Sequence, residues 1–444
     1  MTLARRDLLT GTGLALAAGA LSPPSAATGA VTPGMTAAAP ALSGAGGWDA
    51  VRAQFALSSD FIHMSAMLIA SHPKPVRDAI DEHRRGMDAN PVTYLHQNNR
   101  RLQETARAAA GQYLGVSSAD VALTDSTTMG VALVYNGLRL TPEHEILTTQ
   151  QDYYVTHEAL RLASLRTGAR VRKTSLYEEI NGITEDQIID RISQAITPAT
   201  RVLALTWVHS STGLKLPLRQ IADALDQINA DRNEADRVLF CVDGVHGFGI
   251  EDVVLSGLGC DFLMAGCHKW LFGPRGTGIV AGTKRGWEAI LPTIPSFIDG
   301  GTWDAWFTGT EPAGPTTGGR MTPGGYKAFE HQWAVAQAFG FHQSIGKVAI
   351  AARTHELALH LKEELARMPH VVLHTPRSDR LSAGIVSFDI QGLSPGAAVL
   401  RLRERRIIAS VAPYAVPHVR LTPCVANTPA EIETVLQEIR ALAA

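Results

Sequence analysis

The stretch Phe262-Leu263-Met264-Ala265-Gly266-Cys267-His268-Lys269-Trp270 decides how this chain is read. Its first four residues form an apolar run of strand length, and Lys269 stands just beyond it, beside a histidine. The 444 residues include only eight lysines, and a solvated lysine belongs on a helix face among other charges. A lysine at a strand end in an apolar setting has a depressed pKa, which suits nucleophilic and Schiff-base chemistry.

A second apolar run, Val238-Leu239-Phe240-Cys241-Val242, ends in Asp243-Gly244-Val245-His246-Gly247. Asp243 precedes Lys269 by 26 residues, room for a crossover and the next strand, so both can sit on one edge of a sheet. A carboxylate there is either a turn or N-cap aspartate, or the group that keeps the pyridine nitrogen of pyridoxal phosphate protonated so that the ring acts as an electron sink. A third segment, Thr124-Asp125-Ser126-Thr127-Thr128-Met129-Gly130, opens a helical run to Leu138. Small hydroxyl residues at a helix start either cap the helix or supply donors to a phosphate. The order phosphate loop, aspartate, lysine makes the three segments reinforce one another.

Outward from this centre, β-branched runs alternate with amphipathic stretches. Strands are expected over residues 145–149, 201–208, 238–242, 262–265 and 278–280, and helices over 76–87, 100–113, 157–167, 184–195 and 218–230. Such alternation predicts an α/β fold, a mostly parallel sheet covered on both faces, with ligands beyond the carboxyl ends of the strands. Beyond about Gly340 the pattern becomes that of a smaller α+β domain, with a helix over 347–367, strands over 384–389, 407–411 and 419–422, and a closing helix over 428–442. Residues 300–325, rich in Gly, Thr, Pro and Trp, are expected to form a loop over the site, with Trp303, Trp306 and Phe307 shaping the pocket.

The N-terminus differs in kind. After Arg5-Arg6-Asp7 no charged side chain occurs for 41 residues, until Asp49. The arginine pair, Leu8-Leu9, a short Gly/Ala/Leu stretch and small residues at Ser25-Ala26-Ala27 predict a signal peptide over residues 1–27. The apolar stretch is too short for a stable membrane span. The paired arginines resemble a twin-arginine signal read by the Tat export machinery; an ordinary Sec leader with a chance arginine pair is the alternative. Residues 28–50 read as a flexible linker, and the protein is expected to be periplasmic or secreted. A net charge of −2 and the lack of a basic segment exclude a nucleic-acid binder. Cys241, Cys260, Cys267 and Cys424 show no CxxC or His-rich spacing, so no metal site is expected and the thiols read as buried and free. Free thiols suit a protein folded in the cytosol and then exported.

The phosphate loop, Asp243-Gly244-Val245-His246 and Gly266-Cys267-His268-Lys269-Trp270 together resemble the class V aminotransferase family of fold-type I pyridoxal-phosphate enzymes. The Cys-His-Lys-Trp stretch is most similar to its isopenicillin N epimerase-like branch, and the resemblance covers roughly residues 50–444. It implies a large domain over 51–340 on a mostly parallel seven-stranded sheet, and a small α+β domain over 341–444. It implies that Lys269 carries pyridoxal 5'-phosphate in Schiff-base linkage and is the catalytic base, that Asp243 is the pyridinium partner, and that Ser126, Thr127 and Thr128 hold the phosphate with help from His268. His246 matches a family histidine close to the cofactor. In Gln151-Asp152-Tyr153-Tyr154, where many relatives have a stacking histidine, Tyr153 supplies the stacking face, with Tyr154 as the alternative. Ser210 stands where relatives often place an asparagine against the phenolic oxygen. Arg420, in Val419-Arg420-Leu421-Thr422-Pro423, matches the substrate-carboxylate arginine; from the residues alone it is either that or half of a core ion pair. Pro323-Gly324-Gly325-Tyr326 resembles a loop that reaches the neighbouring subunit's phosphate, which implies a homodimer with Gly325 at the cofactor.

Such an enzyme withdraws the proton from a substrate's α-carbon, and three outcomes stay open: reprotonation as in an epimerase, transamination, or loss of a β- or γ-group as in a lyase. Epimerisation needs a proton donor besides Lys269, with His246 and Tyr153 as candidates. Cysteine desulfurase chemistry is disfavoured because no cysteine lies shortly before Arg420. A non-catalytic exported binding protein is the reading from another class, and the joint presence of Lys269, Asp243 and Arg420 argues against it. Export favours a self-contained reaction on an amino acid or amino-group-bearing peptide, such as tailoring of a secondary metabolite or siderophore peptide.

Overall fold

A computed structural model describes residues 47–442. The expected signal peptide and most of the expected linker lie outside the described residues. The folded region begins before residue 50, with helix α1 (Gly47–Arg52), whose Val51 is buried and whose Trp48 packs on the core. Arg52 ties it to the far end of the chain through Glu431, Nη1 to Oε2 at 2.8 Å. The composition that cannot bury much runs only to Gly47, and Trp48 and Val51 just beyond it are enough to anchor this helix.

After a two-residue strand β1 (Ile62–His63) come helices α2 (Lys74–Ala89) and α3 (Pro91–Leu114). The central sheet then builds by βαβ units: β2 (Val121–Thr124), α4 (Thr127–Gly137), β3 (Glu145–Thr149), α5 (Tyr154–Thr167), β4 (Arg170–Thr174), α6 (Glu185–Ala195), β5 (Thr200–Thr206), α7 (Leu218–Ala230), β6 (Leu239–Asp243), β7 (Phe262–Gly266) and β8 (Gly278–Gly282). Its seven strands run in the order β2-β8-β7-β6-β5-β3-β4. Only β8 is antiparallel to its neighbours. The connection before it, Cys267–Thr277, is too short for the dozen-residue crossover that a parallel return needs.

The mostly parallel sheet is covered on both faces, and successive strand residues alternate between two cores. Phe240, Val242, Leu263 and Ala265 face one cluster, while Leu239, Cys241, Phe262 and Met264 face the other. Burial on both sides explains why these strands read as continuous apolar runs. β4, Arg-Val-Arg-Lys-Thr, lies outside the strands that apolar runs predict because it is the sheet edge, where charge discourages further pairing.

Two further expectations are corrected. Residues 300–325 are not all loop: helix α8 (Gly300–Thr308) forms within them, capped by Asp299, whose Oδ2 accepts from Thr302 N at 3.2 Å, and ended by Gly309 at φ +68°. Its Trp306 and Phe307 are exposed. Helix α9 (Val335–Ile345) runs through the expected boundary at 340 and packs Val335, Phe339 and Ile345 into the large-domain core. The helix ends at Gly346.

The C-terminal part follows with α10 (Lys347–Leu365), β9 (Val371–Leu373), β10 (Val386–Ile390), α11 (Pro395–Glu404), β11 (Ile407–Ile408), β12 (Ser410–Val411), β13 (Val419–Leu421) and α12 (Pro429–Arg440). Four strands form an antiparallel sheet, β12-β13-β10-β9, and β11 pairs in parallel with β1. The sheet docks onto the large domain through Thr375 Oγ1 to Thr212 O at 2.6 Å and Ser387 Oγ to Ser211 O at 2.8 Å. These contacts bring β13, with Arg420, over the carboxyl edge of the large sheet. No helix among the described residues is long and apolar enough to cross a membrane.

Candidate active site

The carboxyl ends of β2, β3, β5, β6 and β7 share one edge, and each is followed within a few residues by an expected site residue. At β7 the turn after Gly266 is closed by Phe272 N to Lys269 O at 2.9 Å and Gly273 N to Cys267 O at 2.8 Å. Phe272 adopts φ +56°, an unusual conformation for a bulky residue and a sign of local strain beside the lysine. Lys269 Nζ lies 3.4 Å from His246 Nε2, and Trp270 Nε1 donates to His246 Nδ1 at 3.3 Å. With Nδ1 accepting, the neutral imidazole carries its proton on Nε2, which faces the lysine nitrogen. Burial pushes Lys269 down to about 8, opposed by Asp243 and assisted by Arg420. Burial also holds His246 well below the usual histidine range, so the imidazole is neutral and faces a lysine that loses its proton far more readily than a solvated one.

Asp243, at the end of β6, is buried and accepts from Val245 N at 3.2 Å. Burial pushes its carboxyl up to about 6, with the Val245 N–H and Lys269 pulling the other way. A buried carboxylate held this poorly is relieved by a cation, which a protonated pyridine nitrogen supplies. Asp152 is its opposite. Burial raises its pKa, but His209 and hydrogen bonds from Thr148 and Thr149 outweigh that and hold it low. Its oxygens also accept from Thr206 N at 2.6 Å, which knits β3 to β5.

The phosphate loop supplies the test of cofactor fit. Ser126 caps α4, its Oγ accepting from Met129 N at 3.1 Å, which leaves the hydroxyl hydrogen free to donate. Thr127 Oγ1 and His268 Nδ1 are both buried without a partner. They converge across Gly266, where a Cβ would come within 2.9 Å of both Thr127 Oγ1 and the His268 ring. A glycine that leaves room, two orphaned polar atoms and the first N–H groups of a helix form a cradle that a phosphate satisfies. Thr128 is exposed and contributes to that cradle only through its place in the first helical turn. Gly325, at φ +107°, lies in a loop that meets the same region, since Lys327 Nζ is 3.6 Å from Asp125 Oδ1.

The remaining residues gather at the small-domain side. Arg420 is 1% exposed; Nη1 donates to Ser210 O at 2.8 Å, Nη2 to Val411 O at 2.9 Å and Nε to Ser410 Oγ at 3.3 Å. It has no ion-pair partner among the described residues, which removes the core ion pair as an explanation. Burial pushes it down to about 10, with Tyr414 and Tyr153 opposing. The Ser210 hydroxyl bonds Tyr414 Oη at 2.8 Å, and the Tyr414 ring lies 5.7 Å from that of Tyr153. Tyr154 is exposed, so Tyr153 is the tyrosine turned into the site. Tyr414 is the residue that sequence reasoning missed. It lies 204 positions from Ser210, in a loop with no motif of its own.

A buried amine, a buried carboxylate and a phosphate cradle at adjacent strand ends of this sheet define a fold-type I enzyme dependent on pyridoxal phosphate. The chain belongs to the class V aminotransferase family, whose model matches residues 69–423. It is 28% identical over 411 residues to an isopenicillin N epimerase from Streptomyces clavuligerus, covering 89% of this chain and 98% of that protein. It is 25% identical over 332 residues to a probable cysteine desulfurase from Vibrio cholerae, covering 70% of this chain and 75% of the relative. Among solved structures, the C-DES protein with glycine covalently linked to its PLP cofactor shares the fold at a TM-score of 0.78 and 22% identity, over 88% of this chain and 98% of that one.

Proposed function

We propose that this protein is an exported enzyme that uses pyridoxal phosphate to act at the α-carbon of an amino acid, or of a peptide bearing a free amino group, in the manner of an epimerase. Arg420 is the observation that carries the reading. A buried guanidinium with no carboxylate of its own is costly, and a substrate carboxylate supplies the missing anion. Lys269 on the large sheet and Arg420 on the small one then bracket an α-amino acid.

The cofactor, when bound, draws electrons from the substrate and so acidifies its Cα–H. Asp243 holds negative charge for the ring nitrogen, and Thr127, the start of α4 and His268 take the phosphate. Lys269 Nζ accepts the α-proton, its depressed pKa leaving a useful fraction of free amine near neutrality. The proton on His246 Nε2 orients the lysine nitrogen. Tyr153, near Arg420, is our candidate for the second proton donor that inversion requires.

The cysteines support this reading over the desulfurase one. All four are buried, and burial pushes Cys424 up to about 11 and Cys267 up to about 12, so none offers a thiolate nucleophile. The test is proton exchange in heavy water. With its substrate, found by screening amino acids and short peptides, the enzyme is expected to wash deuterium into Cα with inversion at that carbon and no oxo-acid product. Oxo-acid formation without inversion would instead mark a transaminase or a lyase. Export is proposed on Arg5-Arg6 and the apolar run after them. A double Arg5→Lys, Arg6→Lys change is expected to leave the full-length precursor in the cytoplasm while the unaltered chain leaves it. We further propose that the active form is a homodimer, in which Gly325 serves the neighbouring cofactor site.

A further inference from the structure

Three residues far apart in the chain meet on the small-domain sheet. His374 follows β9 directly, Asp389 lies in β10 and His418 directly precedes β13. Asp389 Oδ2 is 2.8 Å from His374 Nε2 and 2.9 Å from His418 Nδ1, and the two imidazoles stack with centroids 3.8 Å apart. One donor atom from each residue lies within 4.8 Å of the other two. The second carboxylate oxygen, Asp389 Oδ1, is buried without a hydrogen-bond partner. Two rings stacked this closely cannot both be protonated without strong repulsion. Left neutral, they converge on a carboxylate whose charge and second oxygen remain unanswered.

A divalent cation answers both. We propose that His374 Nε2, His418 Nδ1 and the Asp389 carboxylate bind one divalent transition-metal ion, with zinc the best match. Two neutral imidazoles and a carboxylate are a donor set that zinc takes readily, leaving a further position for water or an anion. The side chains are partly accessible, 22% for His374, 32% for Asp389 and 10% for His418, so an ion can enter from solvent. The ion joins three neighbouring strands. Side chains alternate along a strand, so His418 shares a face of β13 with Arg420 two residues on. Metal binding therefore braces the strand that presents Arg420, and it does so whichever reaction the enzyme performs.

The test uses the full-length, cofactor-loaded enzyme after treatment with a chelator. Calorimetric titration with Zn²⁺ is expected to find one ion per chain, and Co²⁺ to give the visible bands of a bound ion. His374→Ala and His418→Ala are each expected to weaken Zn²⁺ binding by about 100-fold, with cofactor content unchanged. Zn²⁺ is expected to raise the unfolding midpoint by a few degrees in the unaltered enzyme and not in the variants. Asp389→Asn, which preserves shape, repeats the measurement if a histidine variant folds poorly. No saturable binding in the unaltered enzyme, or equal binding by the double histidine variant, would overturn the site.

Discussion

Lys269→Ala is expected to abolish turnover, by about 10⁴-fold or more, and to remove the absorption band of lysine-bound pyridoxal phosphate. Lys269→Arg keeps a positive charge beside Asp243 and His246 but offers no free amine, so it is expected to fail equally. If it retained activity, the lysine would be acting by charge alone. The pH dependence follows from the site. The ordinary lysine value of 10.5 is brought to about 8 by burial, so near neutrality the fraction of free amine is a few hundred times that of a solvated lysine. A protonated amine is no nucleophile. Capture of added cofactor by stripped protein should therefore speed up as pH rises toward 8 and level off above it. A rate still climbing steeply beyond pH 9 would show that Lys269 is not depressed in this way.

Arg420→Ala is expected to lower kcat/KM by about 10²- to 10³-fold, chiefly through KM, while the cofactor band stays intact. Arg420→Lys should recover only part of the loss, because a point charge cannot reproduce the planar fork that grips a carboxylate. Substrate analogues separate binding from structure. The unaltered enzyme should discriminate strongly against a substrate whose α-carboxylate is made a carboxamide, and Arg420→Ala should not. A normal KM in Arg420→Ala would assign the guanidinium to holding the carbonyls of Ser210 and Val411 together, and nothing more.

What was legible in the sequence was what local rules encode. β6 and β7 are apolar runs because both faces of the sheet are covered, and a charged residue at the end of such a run stands out. That contrast exposed Asp243 and Lys269, and a helix start rich in hydroxyls exposed Thr127. Where local rules mislead, competing physics is visible. The edge strand β4 carries charge in place of an apolar pattern. Helix α8 hides in a Gly- and Thr-rich stretch, although Asp299 before it and Gly309 after it are ordinary cap residues.

Fold class, family resemblance and the order of the chemistry along the chain are all written in local sequence. These depend on periodicity and on residues a few positions apart. The tertiary structure decided the rest: that His246 is held between Lys269 and Trp270, that Thr127 and His268 meet across Gly266, that Tyr414 joins Ser210, that Arg420 has no anion of its own, and that His374, Asp389 and His418 converge. Each of these depends on the surroundings of a polar group. Those surroundings are assembled from strands and loops tens to hundreds of residues apart, so no local pattern records whether such a group is satisfied or waiting for a ligand.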